Sequence, residues 1–144
     1  MLEYSDYLIY KKKKIILNSY DFYGISRNKK FKATTPSIFF KKISKYFIII
    51  NPHNPINLTG ITYKFYLIFL YGGFCLSELT NDVPPKLYKF KNYIFYKNQK
   101  DLEKKISFLK SNENFYKFLK NEIYKIALET MNENKITFKN LFLK

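Results

Sequence analysis

Residues 57–78 read NLTGITYKFYLIFLYGGFCLSE, and the fold turns on this stretch. After Gly60, the eleven residues Ile61 to Tyr71 hold neither Gly nor Pro and are mostly apolar, which predicts a helix. Gly72-Gly73 then stops it, because glycine takes the left-handed conformation that ends a helix. Phe74-Cys75-Leu76-Ser77 is compact enough to be a strand in a sheet core. A helix entered through a glycine has a chemical consequence. Its first N–H groups lack internal partners and carry partial positive charge, so they can receive a phosphate.

Upstream, Tyr46-Phe47-Ile48-Ile49-Ile50 is continuous, apolar and β-branched, the pattern of a strand buried on both faces. Asn51-Pro52-His53-Asn54-Pro55 breaks the chain after it. Ile15-Ile16-Leu17 reads as an earlier buried strand, followed by a loop from Asn18 to Arg27 that carries Gly24. Pro36 is placed to start a short helix from Ser37 to Lys45. Downstream, a polar loop through Asn81, Asp82, Pro84 and Pro85 leads to a short strand predicted at Asn92-Tyr93-Ile94-Phe95-Tyr96.

From Asn98 the periodicity becomes helical. Asn98 or Gln99 can cap, Asp101 and Glu103 suit the first turn, and Leu102, Ile106 and Leu109 form one apolar face. A second helix is predicted from about Asn112 to Met131, with Phe115, Leu119, Ile123, Ile126 and Ala127 inward. Ile136–Leu143 reads as a last short helix. Strands alternating with helices predict an α/β fold: a Rossmann-like parallel sheet with flanking helices, one domain over residues 1–144. In such a fold a ligand sits at the carboxyl ends of the strands. The loops after Ile50 and after Ser77 qualify, and Tyr20–Gly24 offers a third wall.

The formal charge is +15, yet Arg27 is the only arginine. Lys, Ile, Asn, Tyr and Phe are favoured, Trp is absent, and Gly and Ala are scarce, a bias that AT-rich codons produce without selection for charge. A reader of phosphate backbones more often uses arginine, whose fork matches phosphate geometry. Cys75 is the only cysteine, which excludes a disulfide framework and a cysteine-rich zinc site. Its apolar neighbours predict a small buried hydrophobe, and a reducing cytoplasm fits. No apolar run approaches the ~20 residues that span a bilayer, and the N-terminal segment lacks the layout of a signal peptide.

The segment ISKYFIIINPHNPINLTGITYKFYLIFLYGGFCLSE resembles the core of the carboxyl-terminal, nucleotide-sugar-binding domain of GT-B glycosyltransferases, in particular the "glycosyl transferases group 1" or CgeB-like group. Asn51 stands at the strand end, Gly60 opens the helix, and Lys64 occupies the place of a usual arginine. Tyr71-Gly72 form the turn, and Leu76-Ser77-Glu78 close the next strand. Downstream, KNYIFYKNQKDLEKKISFLKSNENFYKFLKNEIYKIALE is similar to the family's strand and two helices; upstream, IILNSYDFYG resembles the strand and Tyr-Gly turn that begin the domain. The likeness covers roughly residues 15–140 through five weak motifs in order. Leu67 replaces the glutamate held to bind the donor's ribose, Tyr66 replaces a phenylalanine, and Thr59 stands where an upstream glutamate is common.

The resemblance implies transfer of a sugar from a nucleotide-sugar to an acceptor, with no metal or other cofactor required. It implies a donor site made by Gly60, Thr62, Lys64, Glu78, Tyr23 and His53. Lys64 would meet the diphosphate, Thr62 would give its hydroxyl to a phosphate or support the first turn, and Glu78 would accept from a ribose or sugar diol. Tyr23 would contact base or ribose, and His53 would contact a phosphate or act as a base. A GT-B enzyme closes its site between two domains. The 144 residues hold one of them, so a separate chain would supply the acceptor domain, or the copy is truncated or inactive. The rival expectation is a lysine-rich nucleic-acid- or ribosome-binding protein, whose lysines would gather on one face.

Overall fold

The computed structural model describes residues 16–18, 41, 43–52 and 60–142, and of 16–18 and 136–142 the backbone alone. Four short strands form one parallel sheet: β1 (Ile16–Asn18), β2 (Ile48–Asn51), β3 (Cys75–Glu78) and β4 (Phe95–Tyr96). They lie side by side in chain order, β1-β2-β3-β4. Ile49 pairs with Cys75, Ile50 with Leu76 and Asn51 with Ser77; β4 joins through Ser77 with Phe95 and Glu78 with Tyr96. All four residues of β2 are buried, as an apolar run covered on both faces requires. The fold is mixed α/β with a small parallel sheet and flanking helices, a layout compatible with a Rossmann-like arrangement.

Helix α1 (Tyr63–Leu70) connects β2 to β3. Phe65, Tyr66, Ile68 and Phe69 are buried, and the helix is apolar because it packs between the sheet and a later helix. Its end is a Schellman turn. Gly72 has φ +83°, its N–H donates to Phe69 carbonyl at 3.1 Å, and Gly73 N–H donates to Ile68 carbonyl at 2.9 Å. Gly73 serves a different need. A Cβ there would stand 2.3 Å from Ile43 Cγ2 and 2.9 Å from Ile68 Cγ2, so only hydrogen fits.

After β3 the structure departs from the expected strand at 92–96. Pro85–Phe90 is a 3-10 turn and Lys91–Ile94 a short helix, α2, leaving only Phe95 and Tyr96 extended. Leu87, Phe90 and Ile94 are buried at helical spacing, and that period outweighs the β-preference of the Tyr-Ile-Phe-Tyr run. Helix α3 (Gln99–Ser111) starts as predicted: Asn98 Oδ1 accepts from Asp101 N–H at 2.9 Å, and Asp101 accepts from Lys97 N–H at 3.0 Å. Leu102, Ile106 and Leu109 are its buried face.

The last two helices expected from the sequence are one, α4 (Glu113–Phe142). No Pro or Gly interrupts 132–135, and a polar stretch without a breaker continues a helix. Leu119, Ile123 and Ala127 are buried, Phe115 and Ile126 partly so; Tyr116, absent from the predicted inward face, is buried too. Tyr116 stacks on Phe47 at 4.4 Å between ring centroids, meets Phe74 at 4.8 Å, and donates its hydroxyl to Phe47 carbonyl at 2.7 Å. A run of rings thus crosses the core: Phe95 on Phe65, Phe65 on Phe69, Phe69 on Phe74, Phe74 on Tyr116. Beyond Ala127, Lys86 holds α4 to the 3-10 turn through Glu133 at 2.6 Å and Glu129 at 3.4 Å.

The first strand agrees with expectation to within a residue. Of the short helix expected over 37–45, the structure describes helical Lys41 and a 3-10 turn, Ile43–Lys45. Of the expected Asn18–Arg27 loop, Asn18 ends β1, and the rest, with Tyr23 and Gly24, lies outside the described residues, as do residues 53–59 with His53. Among the described residues no helix is long and apolar enough to cross a membrane.

Candidate functional site

Parallel strands put all their carboxyl ends at one edge of the sheet, and the chain leaves β2 there for α1. Gly60 has φ +81°, and a Cβ added to it would meet nothing within 4 Å. Conformation, not crowding, therefore demands glycine at this position, and the space beside it is open. Thr62 occupies the N-cap of α1 with extended backbone, φ −70° and ψ 151°, but its hydroxyl makes no capping bond. That oxygen is enclosed and has no hydrogen-bond partner among the described residues. The first N–H groups of α1 consequently lack the side-chain acceptor that an N-cap threonine usually supplies.

Lys64, the second residue of α1, is not an ordinary surface lysine. Burial drives its pKa from 10.5 down to about 8, against a small opposing pull from Cys75. Burial pushes the Cys75 thiol far above its usual value, so it is neutral where Lys64 titrates and lends the ammonium no charge. Cys75 is accordingly inert packing, as its apolar setting implied. An ammonium held largely out of water gains more from a nearby anion than an exposed one does.

Glu78 ends β3, half-buried, paired in register with Tyr96. Beside it lies a polar pair in an otherwise apolar sheet. Asn51 Nδ2 donates to Ser77 Oγ at 3.1 Å, and Ser77 Oγ donates to Asn51 carbonyl at 3.2 Å. Two residues beyond β3, Thr80 is only 7% exposed and its hydroxyl, like that of Thr62, has no partner among the described residues. Enclosed hydroxyls of this kind are uncommon and are normally met by water, ion or ligand.

Of the expected site residues, Gly60, Thr62 and Lys64 sit together on the loop and first turn of α1. Glu78 ends the neighbouring strand at the same edge of the sheet. Tyr23 and His53 are outside the described residues. Ser77 and Thr80 were not among the expected site residues, although a polar residue closing an apolar strand is a readable signal for Ser77. The four described strands never reverse order, so they contain no switch point of the kind that forms the ligand crevice in doubly wound sheets. The opening at this edge is made by the Gly60 turn and α1. Among the described residues there is no group of three or more His, Cys, Asp or Glu able to hold a metal.

Comparison with protein families, with curated proteins and with solved structures finds no match.

Proposed function

We propose that this chain is the donor-binding part of a glycosyltransferase-like protein, taking the diphosphate of a nucleotide-sugar at the entrance to α1. The observation that carries the proposal is Lys64: a lysine drawn out of water on the first turn of a helix whose N-cap hydroxyl makes no bond. Backbone N–H groups, a lysine and an idle hydroxyl are the donors that a diphosphate accepts from. Glu78, on the adjacent strand end, is an acceptor suited to the hydroxyls of ribose or sugar. The likeness of residues 15–140 to the GT-B carboxyl-terminal domain supplies the reaction class.

Charge developing on a departing nucleoside diphosphate is stabilised by donors already fixed in place, so these groups can serve without a metal. Sugar transfer would further need an acceptor domain. The test is a thermal shift or calorimetric titration of the full chain with UDP, GDP and their sugars. Stabilisation by at least one nucleotide, lost in Lys64→Ala, is expected. If no nucleotide stabilises the wild type, the donor-binding reading is wrong.

A further inference from the structure

At the opposite edge of the sheet lies a second feature. Asn92 and Tyr93 lie in α2, which leads into the amino end of β4, away from Glu78. Tyr93 stacks near-parallel with Phe108 of α3 at 6.0 Å, and both rest on Phe115 of α4, at 4.8 and 5.6 Å. Phe118 continues the row at 6.3 Å from Phe115. These are surface rings: Tyr93 is 38%, Phe108 43% and Phe118 53% exposed. A depression lined by Asn92, Tyr93, Lys104, Lys105, Phe108 and Leu109 opens between α2 and α3, with a volume near 170 Å³.

The rim is cationic. Lys105 is held by Asp101 at 2.5 Å, but Lys100 and Lys104 make no ion pair among the described residues. Lys100, Lys104 and Phe108 recur at four-residue intervals on α3, so they form one exposed column with steps of about 6 Å. Four lysines elsewhere meet acids: Lys117 meets Glu113, Lys125 and Lys89 meet Glu122, and Lys86 meets Glu129 and Glu133. What sets this column apart is the row of half-exposed rings beside its lysines.

We propose that the Tyr93–Phe108 face binds single-stranded nucleic acid, with a base stacked in the depression and phosphates following Lys104 and Lys100. Half-exposed ring faces beside unpaired lysines are the parts of a stacking platform for single strands. The depression suits one planar heterocycle, well below the ~300 Å³ at which pockets for larger ligands begin. The Asn92 amide offers both a donor and an acceptor to a base edge. A membrane-binding face would instead present several apolar side chains along one helix, whereas α3 exposes Phe108 among Lys100, Lys104 and Ser107.

Fluorescence anisotropy of the full chain with labelled oligo-U, oligo-dT and a duplex of matched length tests this, and the two single strands separate RNA from DNA. Both or one should bind more tightly than the duplex. Phe108→Leu keeps the bulk and removes the ring, and should weaken binding roughly tenfold at fixed salt, as loss of one stacked base does. Lys100→Ala with Lys104→Ala should flatten the dependence of log K on log salt by roughly 1.4, at ~0.7 per phosphate contact on single strands. Circular dichroism verifies that the variants fold. Equal affinity of Phe108→Leu and wild type overturns the proposal. So does duplex bound as tightly as single strand, or binding to phosphatidylserine vesicles without binding to either oligonucleotide.

Discussion

Asn51 and Ser77 are tied twice across the ends of β2 and β3: the Asn51 amide donates to the Ser77 hydroxyl, which donates back to the Asn51 carbonyl. Both residues are buried, so each bond is made where water cannot substitute for it. The pair fixes how far the two strands run together before their loops diverge, and thereby where Glu78 emerges.

Removing one partner should cost more than removing both. Ser77→Ala leaves the buried Asn51 amide short of an acceptor, a penalty of about 1–3 kcal/mol. The double variant Asn51→Ala/Ser77→Ala should show a coupling of roughly 1 kcal/mol by urea denaturation. Strict additivity of the two single changes would mean that the pair is not a unit.

Lys64 predicts a pH dependence with a definite sign. In the folded chain it loses its proton near pH 8, and in the unfolded chain near 10.5. Between those values the unfolded chain binds more protons, so its contribution to stability rises with pH across that window. Below pH 8 both states are charged and the folded state bears the full desolvation. Lys64→Met should therefore raise the Tm of the ligand-free protein at pH 7 and remove the rise between pH 8 and 10.5. A bound diphosphate reverses the preference by favouring the ammonium. Calorimetry at pH 8 in buffers of different ionisation enthalpy should record proton uptake on nucleotide binding, and affinity should fall above that pH. Binding without proton uptake would separate Lys64 from the ligand.

The two glycines after α1 should respond differently to alanine. Gly72→Ala meets only Ser44 Cβ at 3.6 Å, so its cost is the left-handed backbone, about 1–2 kcal/mol. Gly73→Ala drives a methyl into Ile43 and Ile68 and should cost up to about 3 kcal/mol, with the helix end displaced. A second substitution, Ile43→Ala, removes the Cγ2 that the new methyl strikes; it should cost less in the Gly73→Ala background than in the wild type, and no less in the Gly72→Ala background, read as Tm.

Much of the sheet could be read from the chain because β2 and β3 are short, start apolar and are flanked by Gly or Pro. Their ends were displaced by one or two residues, since Asn51 and Glu78 look like loop residues until a partner strand satisfies them. The α2 region misled because Tyr93, Ile94, Phe95 and Tyr96 favour strands singly, whereas the spacing of Leu87, Phe90 and Ile94 is set by packing. Lys64 was legible as a candidate but not as a buried one. Desolvation depends on what the tertiary fold lays over the side chain, and no local pattern records that. The Tyr93–Phe108 face was invisible for the same reason, being assembled from three separate helices.

Only four glycines occur in the chain, and three lie between residues 60 and 73. Glycine codons are rich in G and C, so a genome drifting toward A and T erodes them wherever a substitute is tolerated. At Gly60 and Gly72 the backbone forbids one, and at Gly73 two isoleucines do. A chain otherwise poor in glycine thus places three of its four where stereochemistry calls for them.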